Sequence, residues 1–184
     1  MHLSLRRTMV SFALVGFLCA LYAHSAFAGS IFVSGHDPDF HAFLGGNNAA
    51  GAQRLIQRSL VFARDGNPAP ILLLKSNTNN SALGDHTDSE EGLKASGFSA
   101  GNTPGNNYVV VNATDFATVD LAQFSAIFVP SDHGGTLTSD DLQALNARTA
   151  DILAYLNAGG GLVAFAEDGQ RTNHVMTLFT SMGN

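Results

Sequence analysis

Two kinds of segment alternate along the chain. Short unbroken apolar runs occur at Ile31-Phe32-Val33, Pro70 to Leu74, Tyr108 to Val111, Ala126 to Val129 and Leu162 to Ala166. Between them lie longer stretches in which apolar positions recur every three or four residues. Runs of this length without polar alternation predict strands buried on both faces, as in a parallel sheet covered by helices. Asn47 to Arg64 predicts a helix, with Leu55, Ile56, Leu60, Phe62 and Ala63 on one stripe and Gln53, Arg54, Gln57 and Arg58 around it. Asn47 or Asn48 is placed to cap its start, and Gly66 lies just past its end. Thr138 followed by Asp141 forms a capping box with Asp where Glu is usual. It predicts one helix to about residue 158, with Leu142, Leu145, Ile152, Leu153 and Leu156 on its stripe. Gly159 to Gly161 stop that helix. Residues 76–106, rich in Asn, Ser, Gly, Asp and Thr, predict loops around one short helix from Ser89 to Ser96. A last short helix is expected from Asn173 to Met182.

Strands alternating with helices and long crossovers specify an α/β three-layer sandwich with a mainly parallel, flavodoxin- or Rossmann-like sheet. The first residues stand outside that pattern. Arg6 and Arg7 precede an almost wholly apolar run from Met9 to Ala23, and Ala26-Phe27-Ala28 supplies a small-x-small cleavage site. Residues 1–28 therefore read as a secretory signal peptide and 29–184 as a single α/β domain, exported to the periplasm or outside a bacterial cell.

Cleavage removes Cys19, the only cysteine, and with it any disulfide, thiolate ligand or cysteine nucleophile. It also removes Arg6 and Arg7, leaving seven Lys and Arg against fifteen Asp and Glu, so the formal charge of −6 becomes −8. An acidic chain with no basic cluster argues against nucleic acid and against an anionic membrane as partners.

In open parallel sheets ligands bind beyond the carboxyl ends of the strands. The loop after the first strand carries His36, Asp37, Asp39 and His41, and the loop after the second carries Ser76 and Asn77. Ser131, Asp132, His133 and Gly134 come after the fourth strand, and Glu167 and Asp168 after the fifth. The ligand-binding candidates are His36, Asp37, Ser131, Asp132, His133, Gly134, Glu167 and Asp168. Asp39 and His41 read instead as turn residues around Pro38. An alternative places a divalent metal on His36, Asp37, Asp132, His133 and Glu167, whose imidazole and carboxylate groups suit Zn²⁺ and would leave a carboxylate as general base. No cofactor is otherwise expected.

The stretch "SAIFVPSDHGG", the helix after it and then "LNAGGGLVAFAEDG" resemble the class I glutamine amidotransferase-like fold, and "IFVSGHD" is similar to the first strand of its ThuA-like members. The resemblance spans most of residues 31–170. It implies a pocket bounded by the first loop, the 131–135 loop and the 166–170 elbow. Where that family's elbow carries its cysteine, this chain has Ala166, or Glu167 in the next register. Glutaminase and cysteine-hydrolase chemistry are thereby excluded. Family domains continue beyond the elbow helix, so a C-terminally truncated domain is expected. The expected function is an exported ThuA-like domain without nucleophile that binds a small polar ligand, with carbohydrate suggested by analogy. A metal-dependent hydrolase and a non-catalytic interaction module are the alternatives.

Overall fold

The computed structural model describes residues 28–43, 48–76, 89–131 and 137–165. They form a six-stranded sheet whose strands are all parallel, flanked by helices on both faces. In chain order the elements are β1 (Ile31–Ser34), α1 (Pro38–Phe43), α2 (Ala49–Arg64), β2 (Ile71–Leu74), α3 (Ser89–Ala95) and β3 (Ser99–Ala100). There follow β4 (Asn107–Val111), α4 (Ala113–Phe116), a 3₁₀ turn (Leu121–Gln123), β5 (Ala126–Val129), α5 (Ser139–Ala147), α6 (Thr149–Asn157) and β6 (Gly161–Phe165). Among the described residues no helix is long and apolar enough to cross a membrane.

The strand order is β1-β6-β5-β2-β4-β3. From β1 the chain crosses to β2 under α2 and on to the edge strand β3 under α3, steps back to β4, and then returns to β5 and β6 with its helices on the other face. Reversing direction while changing face keeps these helical crossovers the same hand. Alternation along the strands feeds two cores. Ile71, Leu73, Phe128, Val163 and Phe165 pack under Ile56 and Leu60 of α2 and Leu93 of α3. Leu72, Leu74, Ile127, Val129 and Leu162 pack under Leu142, Leu145, Ile152 and Leu156 of α5 and α6. The unbroken apolarity of β2, β5 and β6 is the signature of this double coverage, and all three are buried throughout.

Three expectations need correction. Ile31-Phe32-Val33 was expected to be a buried strand, but β1 holds the edge of the sheet, and Ile31 and Val33 are about half exposed (48% and 46%). The helix expected over 138–158 is two helices. Arg148 leaves helical geometry at φ −106°, ψ 21°, where its guanidinium donates to the carbonyl oxygens of Phe116 (2.6 Å) and Val119 (2.8 Å) and its Nε to Asp151 (2.9 Å). The break turns Leu153 outward and buries Tyr155 in its place. The Asp37-Pro38-Asp39 turn is the start of α1, with Pro38 at the first helical position, where its missing N–H costs nothing. The helix expected from Asn173 to Met182 lies outside the described residues.

The Gly159-Gly160-Gly161 stop is needed at each position for a different reason. Gly159 takes φ 94°, a left-handed conformation that ends α6. Gly160 lies against the Tyr155 ring, and Gly161 passes so close to α2 that a Cβ would come within 2.1 Å of the Ala63 carbonyl oxygen. Tyr155 closes the turn by donating to the Phe124 carbonyl and accepting from the Gly161 amide, both at 3.2 Å, and burial pushes its hydroxyl up to about 12. Gly161→Ala is expected to destabilise the protein by about 2–3 kcal/mol, because a backbone carbonyl in a packed helix must move to admit the methyl group. Urea unfolding would read this, and an unchanged midpoint would show that α2 is free to shift.

Candidate functional site

The carboxyl edge of the sheet is the place to look, and the strand order fixes where along it. The chain leaves β2 towards one face and β5 towards the other, so a crevice opens between the ends of these neighbouring strands. One serine stands on each side of it, Ser76 after β2 and Ser131 after β5. Each is held by a buried aspartate from an opposite helical layer.

On the α1 side, Asp39 is fully buried. Its carboxyl accepts the Ser131 amide at 3.2 Å and the Ser131 hydroxyl at 3.1 Å. Burial pushes its pKa up to about 7 against the lowering effect of these hydrogen bonds, and the neighbouring Asp37 adds to the rise. One turn of α1 links Asp37 to His41, Oδ1 to Nε2 at 3.3 Å. The Asp39 backbone also touches α3, where a Cβ on Gly92 would come within 2.2 Å of the Asp39 carbonyl oxygen. The first-loop helix is thus wedged between α3 and the end of β5.

On the other side, Asp141 does more than complete the capping box. Its carboxylate accepts the Thr138 amide (2.9 Å) and hydroxyl (2.7 Å), and then reaches across to the Ser76 hydroxyl at 2.5 Å. Ser76 in turn accepts the Ala113 amide at 2.7 Å. A single carboxylate therefore ties the start of α5, the end of β2 and the start of α4 together. The neighbouring Lys75, on the opposite face, pairs with Glu90 at 3.3 Å, and Tyr108 donates to the second oxygen of Glu90 at 3.0 Å.

Between α4 and α5 these links frame an open cleft of about 590 Å³. Its rim carries Ser76, Asn112, Thr114, Asp140 and Gln143, and small alanines such as Ala113 and Ala144 line its floor. A second cleft, of about 380 Å³, lies at the amino edge between the 3₁₀ turn and α6. Its polar groups already serve the fold: Arg148 is bound to Asp151 and two carbonyls, Asp120 caps Ala122, and Tyr155 closes the glycine turn.

Of the residues singled out by sequence, His36 is exposed, its amide donating to Ser34 Oγ at 3.3 Å, and Asp37 is buried. Ser131 is buried against Asp39. Asp132, His133, Gly134, Glu167 and Asp168 lie outside the described residues. The order β1-β6-β5 does set the ends of those three strands side by side, as a shared edge requires. Asp39, read as a turn residue, is instead the most deeply held carboxyl of the first loop. Asp39 and Ser131 have the spacing of a base and a hydroxyl nucleophile, but both are fully buried, so the pair acts as a latch on α1 rather than as a solvent-facing reactive group. Lys75, Glu90 and Asp141 were not expected at the edge; the Thr138–Asp141 capping box was the one available signal for the last. Among the described residues no group of three His, Cys, Asp or Glu is placed to hold a metal ion.

The fold and this edge define an α/β doubly covered parallel-sheet domain with a polar cleft at the strand ends. No family model, curated protein or solved structure matches the chain.

Proposed function

We propose that this chain is an exported α/β domain, without amidotransferase chemistry, that binds a small, neutral, hydroxyl-rich ligand at the carboxyl edge of its sheet. The observation that carries this reading is the cleft between α4 and α5. It is an open cleft whose lining offers hydroxyl, amide and carboxylate groups beside the methyl groups of several alanines. Among the described residues no Lys or Arg lines it, and Asp140 stands at its mouth, so sugar phosphates and carboxylates are disfavoured relative to polyols and sugars. The Ser76–Asp141 link preorganises one wall, which limits the ordering cost of binding. Export is supported by the Arg6-Arg7, apolar and Ala26-Phe27-Ala28 sequence of the first 28 residues. A carbohydrate ligand and the ThuA-like resemblance agree with this reading and rest on analogy.

A thermal-shift screen of neutral sugars and polyols tests it. Stabilisation by at least one compound, lost in Asp140→Ala and Gln143→Ala, is the expected result. If no compound shifts the melting temperature, or the shift survives both substitutions, the cleft is not the site. A metal-dependent hydrolase gains no support among the described residues, since only His36 and Asp37 of its five candidate ligands fall there.

A further inference from the structure

We infer that the edge of β1, which no strand covers among the described residues, is a self-association surface on which a second copy of this chain pairs strand to strand. An edge strand exposes unpaired backbone groups, and stable monomers blunt such edges with short strands, covering segments, charges, proline or bulges. β1 is short, at four residues. Of the chemical devices, charges, proline and bulges, the stretch Gly29 to Gly35, Gly-Ser-Ile-Phe-Val-Ser-Gly, has none. Its side chains add to the hazard, because Ile31 and Val33 are each about half exposed on the face opposite α2.

Backbone geometry makes the edge self-complementary. Ser30 offers its carbonyl to the Leu162 amide at 3.0 Å, and β1 stays in parallel register with β6 through Ser34. In a parallel ladder the bonding residues alternate, so Phe32 and Ser34 also serve β6, while the N–H and C=O of Ile31 and Val33 point away from the sheet. A two-fold axis through Phe32, perpendicular to the sheet, sets Ile31 opposite Val33 of the second copy. These are the residues whose backbone groups face outward, and an antiparallel hydrogen-bonded pair requires that arrangement. The same axis keeps each face on its own side and gathers Ile31 and Val33 of both copies into one apolar cluster.

The helix above the edge contributes as well. On α2, Gln57 reaches α3 by donating to the Ser96 carbonyl at 2.8 Å, which fixes that flank towards the middle of the sheet. The opposite flank carries Leu55 and the exposed Phe62 (54%), so it faces the β1 side of the sheet. The strand bears no charge, so two acidic molecules meet there without opposed carboxylates. A stable interface takes about 800 Å² from each partner. One four-residue strand and one helix flank make a smaller patch than that, which places the assembly in the weak, concentration-dependent class.

Sedimentation equilibrium of the purified protein, at concentrations on either side of about 100 μM, is expected to show a monomer–dimer equilibrium. Val33→Lys should abolish the dimer while leaving the circular dichroism spectrum and melting temperature of the dilute protein unchanged, because position 33 is half exposed. Amide exchange at Ile31 and Val33 should slow as concentration rises. A monomer at every concentration would overturn the inference, whether these amides exchange freely, so that nothing covers the edge, or are equally protected throughout, so that the chain covers itself. A dimer that Val33→Lys leaves intact would place the interface elsewhere.

Discussion

Replacing Asp39 by Asn is expected to abolish most of a steep loss of stability between pH 4 and pH 7, making the variant the more stable protein above neutrality. The reason is the sign of the Asp39 shift. Burial raises its pKa from 3.8 to about 7 in the folded protein. Between these values the folded chain holds a proton that the unfolded chain has released, so stability falls as pH rises through this window. Below it the stabilisation is fully present; above it the carboxylate is charged in a dry site. One pKa unit corresponds to about 1.4 kcal/mol, so the full span is about 4 kcal/mol as an upper bound. Asn reproduces the neutral acid, since its oxygen can accept the Ser131 amide while its NH₂ donates to the Ser131 hydroxyl, the two groups that Asp39 now engages. At pH 4 the two proteins should differ by less than about 1 kcal/mol. Asp39→Ala should instead be weaker than native at that pH by about 2–4 kcal/mol, because it removes the carboxyl that the Ser131 amide and hydroxyl engage and leaves a cavity in a buried site. Urea unfolding of native protein and Asp39→Asn across the pH range decides the matter: parallel stability curves would mean that Asp39 titrates normally and that the latch does not hold a proton.

Asp39 also shows where sequence reading stops. Hydropathy made β2, β5 and β6 legible, because a strand buried on both faces has no polar positions to break its run. Thr138 and Asp141 fixed the start of α5, since a capping box is local chemistry. The place of β1 was not legible: its apolar triplet looks like the other strands, and only the order of strands in the sheet decides which face and edge are covered. The short helix α1 was hidden for a similar reason. Asp-Pro-Asp has the composition of a turn, and helix wins because α3 and the end of β5 pack against it. The break at Arg148 depends on two carbonyls, Phe116 and Val119, some thirty positions away in the chain. At the cleft, Asn112 and Asp140 carry no pattern that marks them as partners; they meet because α4, which follows β4, packs against α5, which follows β5.

Arg64→Ala should be among the most destabilising substitutions in the chain, costing about 3–5 kcal/mol, although Arg64 lies far from the proposed ligand. As the last residue of α2 it would ordinarily be a solvent-exposed helix end, yet it is only 8% exposed. Its Nε donates to Ser125 Oγ at 3.0 Å, and its Nη atoms to the carbonyls of Ala69 (3.1 Å) and Gly105 (2.6 Å) and to Asn106 Oδ1 (3.4 Å). Burial lowers its pKa, and these four contacts are to neutral acceptors rather than to a carboxylate. The guanidinium therefore gathers the segments that enter β2, β4 and β5 at the amino edge, opposite the cleft. Its planar fork makes these bonds in several directions at once, which an ammonium on a flexible stem does not. Stability should thus fall in the order Arg, Lys, Met, Ala: Lys keeps the charge but loses acceptors, and Met keeps the volume but leaves the carbonyls unpaired. Chemical unfolding of the four proteins tests the order. Equal stability of Met and Arg would mean that packing alone holds this edge, because a buried polar cluster of no net value can be replaced by an apolar side chain without loss.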